Sequence, residues 1–236
     1  VTFVYVDGTQ GWVNVQDSTS NERGNEFIIA TGGTITTCGN CKIHTFTGPG
    51  TFTVCAVAAC AAQNIMSHVV VAGGGGAGSS DHGGGGGAGG YREVKNPVTP
   101  YTASPLDGYP SAPNRVTVTA TSFPITVGGG GAGGAAPPSP GAGTNGNNGV
   151  PGSNSIFSTV TSAGGGRGTT QADRCSPQPL AGGSGGGGNS GCGASPNPSN
   201  PGATGGAGNT PPTTPAQGTN GGNGTASSPA YGGGGG

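Results

Sequence analysis

The sequence predicts a small all-β N-terminal region followed by an irregular bundle of polyglycine II (polyproline II-like) helices, with almost no α-helix. Three observations carry this expectation. Glycine supplies 57 and proline 20 of the 236 residues, so about a third of the chain is bare backbone or locked ring. Leu, Ile, Val and Phe together number only 32, too few for a side-chain core to offset chain entropy. Glycines also recur three apart, at 143, 146, 149 and 152, at 182, 185, 188 and 191, at 202, 205 and 208, and at 218, 221 and 224. Three residues per turn is the repeat of the polyproline II helix.

The β-rich expectation rests on residues 1–62, which hold only 8 glycines and the single Trp. "VTFVYVDGTQGWVNV" alternates apolar and polar residues around Asp7-Gly8, the pattern of two short strands and a turn. "KIHTFTGPGTFTV", Lys42 to Val54, reads as a second hairpin with Gly48-Pro49-Gly50 as its loop. If Thr47 faces Thr51, then Phe46 faces Phe52, His44 faces Val54 and Cys38 faces Cys60.

Residues 63–236 form the glycine-rich part, in which β-branched stubs run into glycines: "HVVVAGGGGAG" from His68, "FPITVGGGGAGG" from Phe123 and "FSTVTSAGGGRG" from Phe157. A three-per-turn extended helix makes no internal hydrogen bonds, so its N–H and C=O groups all point outward. Buried, they need partners, and glycine on the facing edge lets a neighbouring helix come close enough to supply them. Ordering a residue costs roughly 1–2 kcal/mol, while a hydrogen bond returns a net of roughly 0.5–1.5 kcal/mol. Such helices are therefore expected to be bonded on several sides at once. Collagen shares the geometry, but its triplets continue over far longer stretches.

Charge excludes several classes of partner. Seven basic residues face eight acidic ones and 6 % of positions are charged, so nothing points to nucleic acid, a membrane surface or an acidic ligand. No apolar run approaches the roughly 18–20 residues that span a bilayer. The chain begins with Val and is expected to be processed or part of something longer. Catalysis has no readable basis: His44, His68 and His82 fall in a strand, at a strand start and in a glycine loop, with no nucleophile or partner acid grouped around them. Lys42 and Lys95 are the only lysines and neither belongs to a phosphate loop; G-x-G-x-x-G matches carry no information at this glycine content. Asn223-Gly224-Thr225 is a formal glycosylation sequon, read as a chance match. No enzyme, cofactor or metal is expected.

Six cysteines remain: Cys38, Cys41, Cys55, Cys60, Cys175 and Cys192. Cys38-Gly-Asn-Cys41 has zinc-ligand spacing, but the second pair is five apart and no ribbon comes after it. The hairpin register instead favours nested disulfides, Cys38 to Cys60 and Cys41 to Cys55, with Cys175 to Cys192 stapling the glycine-rich part. That would fit an oxidising, extracellular setting. Reduced structural thiols are the alternative.

The insertion over 91–123, "YREVKNPVTPYTASPLDGYPSAPNRVTVTATSF", gathers Tyr91, Arg92, Tyr101, Asp107, Tyr109 and Arg115. Loops on a rigid scaffold concentrate recognition, and Tyr and Arg are favoured at hot spots, so these six are candidate receptor-binding residues. The competing reading is a packed cover on the side of the bundle.

The ordered string "GGTITTCGNCKIHTFTGPGTFTV", "VVVAGGGGAG", "FPITVGGGGAGG", "GSNSIFS", "GNTPP" and "QGTNGGNG" resembles the glycine-rich domain of structural proteins of tailed bacteriophages, especially marine cyanophages. The resemblance covers roughly residues 30–236, and "VTFVYVDGTQGWV" looks like the hairpin that precedes this domain. It implies a virion component, a tail fibre or other projecting appendage on the virion surface. The implied partners are other fibre or tail proteins and a host cell-surface receptor, a glycan or an outer-membrane protein. A homotrimer, or a monomer on a trimeric shaft, is the implied assembly. A related architecture, packed polyglycine II helices with recognition loops at the end, occurs in adhesins of some phage long tail fibres. Ser67-His68 departs from the aromatic or aliphatic pair expected before the Val run, and cysteines vary within the family.

Overall fold

The computed structural model describes residues 3–8, 11–14, 25–79, 82–136, 146–170, 179–190, 202–225 and 231–236. Among them there is no α-helix, only two short 3-10 turns, Ala61–Asn64 and Ala112–Asn114. The strands in chain order are β1 (Phe3–Tyr5), β2 (Trp12–Asn14), β3 (Ile29–Thr31), β4 (Thr34–Cys38), β5 (Cys41–Thr45), β6 (Gly50–Ala56) and β7 (Ile65–Met66). They continue as β8 (His68–Val71), β9 (Tyr91–Val94), β10 (Val116–Thr117), β11 (Ser122–Thr126), β12 (Ser155–Phe157) and β13 (Val160–Ser162).

The first expected hairpin forms. Tyr5 faces Trp12 across β1 and β2, and the turn closes through Val6 N–H to Gly11 O at 2.9 Å and Gly11 N–H to Asp7 O at 2.6 Å. The second does not. β5 folds back on β4 through Gly39-Asn40, with His44 opposite Ile35 and Cys38 opposite Cys41. β6 is taken on its two sides by β3 and β11, so Phe52 faces Phe123 and Val54 faces Ala30. Gly48-Pro49-Gly50 separates two strands that never pair. Period-two alternation sets which side chains share a face, not which strand lies alongside.

The resulting sheet runs β13-β12-β11-β6-β3 and draws strands from both sides of the composition change at residue 62. The stubs that run into glycine supply three of these strands and β8 beside them, and they contribute Val70, Phe157 and Val160 to an apolar core completed by Phe52 and Val54 of β6 and by Val116 and Val118. Phe157 sits edge-on to Phe52 at 6.2 Å and to His68 at 5.5 Å between ring centres. Pro124 has no N–H to donate, and it pairs with Thr51 of β6 alone, short of where β12 begins.

Beyond the stubs, backbone bonds to backbone. Residues 72–79 run antiparallel to 147–153, with the N–H groups of Gly73, Gly76 and Ser79 donating to the carbonyls of Ser153, Val150 and Asn147 at 2.8–3.0 Å. The same segment runs antiparallel to 84–90, where Ala72, Gly75 and Gly78 donate to Gly90, Gly87 and Gly84. It also accepts from two parallel neighbours: Gly131 and Gly134 donate to Gly74 and Ala77, and Gly165 and Gly168 donate to Gly73 and Gly76. A pleated strand bonds two neighbours with a period of two. Here one segment bonds four, each at intervals of three.

Glycine is required where this close approach occurs. A Cβ on Gly146, Gly149 or Gly152 would lie well inside 3.0 Å of the carbonyl oxygens of Ser79, Gly76 and Gly73. Gly202, Gly205 and Gly208 stand in the same relation to Gly224, Gly221 and Thr219, so the described three-apart glycines face a neighbour, as do others between them such as Gly186, Gly187 and Gly206. Gly143 and Gly191 lie outside the described residues. Gly129, by contrast, has nothing within 4 Å of an added Cβ.

A few side-chain amides join these ladders at fixed places. Asn154 and Asn148 Oδ1 accept from Gly164 and Thr170 N–H, and Asn223 and Asn220 Oδ1 accept from Gly205 and Gly208 N–H, all at 2.8 Å. Gln217, 2 % exposed, accepts from Ala163 N–H at 2.8 Å through Oε1 and donates to Pro211 O at 2.7 Å through Nε2.

Candidate functional site

The insertion after Gly90 begins as β9, paired with β8 so that Val71 faces Tyr91 and Val69 faces Glu93. Glu93 organises the rest of the insertion. Its side chain is buried, and Oε2 accepts from Tyr91 Oη at 3.0 Å, from Ser104 N–H at 3.1 Å and from the Ser104 hydroxyl. Its own carbonyl accepts from Gly108 N–H at 2.8 Å, and its backbone bridges to Asp107 in parallel. Asp107 Oδ1 then takes Lys95 N–H at 3.0 Å and Tyr109 N–H at 2.9 Å, which fixes the turn through Gly108.

The two arginines close the network from either side. Arg92 Nη2 donates to Asn114 Oδ1 at 2.6 Å, and Asn114 Nδ2 donates to Gly108 O and, across the molecule, to Thr214 O at 2.8 Å. Arg115 Nε donates to Tyr109 O at 2.7 Å while its guanidinium lies 4.4 Å from the centre of the Tyr109 ring, a cation–π contact. Thr214 belongs to the proline-rich turn that packs on the insertion. In that turn Asn209 Oδ1 accepts from Thr213 and Gln217 N–H, and Gln217 O receives Tyr91 N–H.

Electrostatics follow from this enclosure. Partial burial and the nearby Glu93 and Asp107 carboxylates push the Tyr101 phenol up to about 12. Burial, then the bond to Glu93, raises Tyr91, and burial lowers Arg92. Behind β9, burial holds His68 below its ordinary value, with Arg92 adding a smaller push in the same direction against the bond to Met66 O. His68 Nε2 is buried without a partner.

All six candidate residues of the insertion therefore gather around one network, with Tyr101 and Leu106 on its exposed surface. Sequence reasoning missed Glu93, Asn114 and Gln217, which hold the network together. The available signal was an acid inside "YREV" in a chain with so few charges. The cysteines come out differently. Cys38, Cys41, Cys55 and Cys60 are free thiols; the register that put Cys38 opposite Cys60 and Cys41 diagonal to Cys55 does not exist, since β5 and β6 do not pair. Cys175 and Cys192 lie outside the described residues. Among the described residues no three His, Cys, Asp or Glu side chains form a metal-holding group.

The class these features define is a glycine-rich, all-β protein held largely by main-chain hydrogen bonds, bearing one ordered polar insertion. The chain belongs to the glycine-rich domain family, whose sequence model matches residues 45–236. Comparison with curated proteins finds no match, and comparison with solved structures finds none.

Proposed function

We propose that this chain is a bacteriophage virion structural protein, a tail fibre or adhesin segment that presents the 91–123 insertion for attachment to the host surface. The observation that carries the reading is the three-residue ladder: each segment bonded to parallel and antiparallel neighbours at once is what packed polyglycine II helices would make. Such a bundle is stiff and nearly uncharged, which suits a projection that must resist non-specific sticking while holding loops in place. The Tyr109–Arg115 pair and Tyr101 supply aromatic and guanidinium surface of the kind that recognises a glycan or an outer-membrane protein.

The experiment is competition. Purified full-length chain should bind host cells and slow adsorption of the phage, and Tyr109→Ala with Arg115→Ala should weaken both effects in a chain whose circular dichroism shows it still folded. Saturating chain that leaves adsorption untouched would rule out attachment.

A second reading is a purely structural appendage, a capsid or tail decoration or a self-assembling filament subunit. It is favoured by the inward use of Arg92, Glu93 and Asp107, whose polar atoms are bonded within the chain. Labelling on virions separates the two, since attachment requires a distal position and decoration a repeating one.

A further inference from the structure

We propose that Cys38 and Cys41 form a reversible cross-strand disulfide that clamps the tip of the β4–β5 ribbon. The two residues face each other in register, with only Gly39-Asn40 between them. Gly39 adopts φ +56° with open space around it, the left-handed conformation that a two-residue hairpin turn demands. Facing residues of an antiparallel pair have Cα atoms about 4.5–5.5 Å apart, within the span of about 4.4–6.8 Å that a disulfide bridges. Among the described cysteines no other pair is opposed by register, because Cys55 stands on β6 beside β3 and β11, and Cys60 leads into the 61–64 turn.

Accessibility makes the pair reactive towards small reagents. Cys38 is exposed and Cys41 half-buried, and both project from a ribbon with most of its side chains in solvent. The oxidant is a low-molecular-weight disulfide. The Cys38 thiolate attacks one of its sulfurs and releases a first small thiol; the Cys41 thiolate then attacks Cys38 Sγ in the mixed disulfide and releases the second. The protein dithiol loses two electrons and two protons, and the small disulfide takes them up as two thiols. An exposed disulfide closing so short a loop is easily reduced again, so the clamp tracks the redox state of the surroundings.

The ribbon's base is anchored independently of its tip. His44 Nδ1 bonds to Gly32 O at 2.8 Å and its ring stands edge-on to Phe52 at 5.0 Å. Oxidation therefore rigidifies the outer half of the ribbon and leaves the core alone. A closed and an open tip would be two states of one surface.

The test uses the full chain, reduced, desalted and equilibrated with oxidised and reduced glutathione at a series of ratios, then acid-quenched, alkylated and digested with trypsin. Arg23 and Lys42 bracket a single peptide that contains Cys38 and Cys41 and no other cysteine. The expected result is that this peptide loses two mass units and both alkylation sites together as the oxidised form increases, reversibly. In Cys41→Ser, Cys38 should instead take up one glutathione and keep it. Independent alkylation of the two thiols in excess oxidised glutathione would overturn the proposal, as would a cross-link from this peptide to the one bearing Cys55 and Cys60, or to a second chain.

Discussion

Gly76 tests whether main-chain bonding is what holds the glycine-rich part together. In Gly76→Ala the new methyl would fall well inside 3.0 Å of Ala132 O, where no real Cβ sits, and the obstacle is backbone that cannot rotate away. The 131–134 segment must retreat by on the order of 1 Å to restore ordinary contact. Three bonds lie across that gap or depend on it: Gly131 N–H to Gly74 O, Gly134 N–H to Ala77 O and Val150 N–H to Ala132 O. At about 1 kcal/mol each the expected loss is about 3 kcal/mol. Gly129 sits in the same kind of segment, yet an added methyl meets nothing within 4 Å. Gly129→Ala should therefore stabilise by about 0.4–1 kcal/mol through the unfolded chain. Urea unfolding of the two variants side by side measures the difference; with a slope of about 2 kcal/mol per molar, their midpoints should be separated by nearly 2 M. Equal midpoints would refute the reasoning, because Gly76 faces a neighbouring carbonyl and Gly129 faces open space.

Two further predictions concern titration. Tyr101, raised to about 12, contributes stability that is complete below pH 10 and is lost as pH rises through 12; ultraviolet difference titration against Tyr101→Phe should show the missing phenolate near pH 12, and a midpoint near 10 would contradict the partial burial of the phenol beside the Glu93 and Asp107 carboxylates. His68 is lowered, so its neutral form stabilises the fold above pH 6.5 and that contribution is lost as pH falls through the folded value. Imidazole NMR shifts should titrate below 6.5, and His68→Phe should flatten the stability profile between pH 7 and 5; a midpoint above 6.5 would contradict the buried, partnerless Nε2.

Much of the fold was legible because glycine placement is itself geometric information. The stubs at His68, Phe123 and Phe157 became β8, β11 and the β12–β13 pair, and the described three-apart glycines lie at points of close approach, which glycines off that period such as Gly75 and Gly187 share. What could not be read was partnership. "TITTCGNCKIHT" and "KIHTFTGPGTFTV" both alternate, and the choice between them lay in the turn, where Gly39-Asn40 fits a two-residue hairpin and Gly48-Pro49-Gly50 only separates strands. The partner that occupies β6, Ser122–Thr126, arrives from some seventy residues away, and no local pattern announces it. At the candidate site the six candidate residues were visible as residue types. Their engagement by Glu93 and Asn114 was not, since a hydrogen bond between loop positions leaves no period in the sequence.

The ladders leave one quantity undetermined by themselves. A segment that repeats every three residues meets the same carbonyls after sliding by three, so the glycine threads alone define a family of equivalent alignments. The side-chain amides break that degeneracy. Asn154, Asn148, Asn223, Asn220 and Gln217 each reach one particular N–H, and a slide of one repeat would strand them while sparing the threads. They work as index pins along the threads, and together with the paired strands that lead into the glycine segments they hold this molecule to a single alignment.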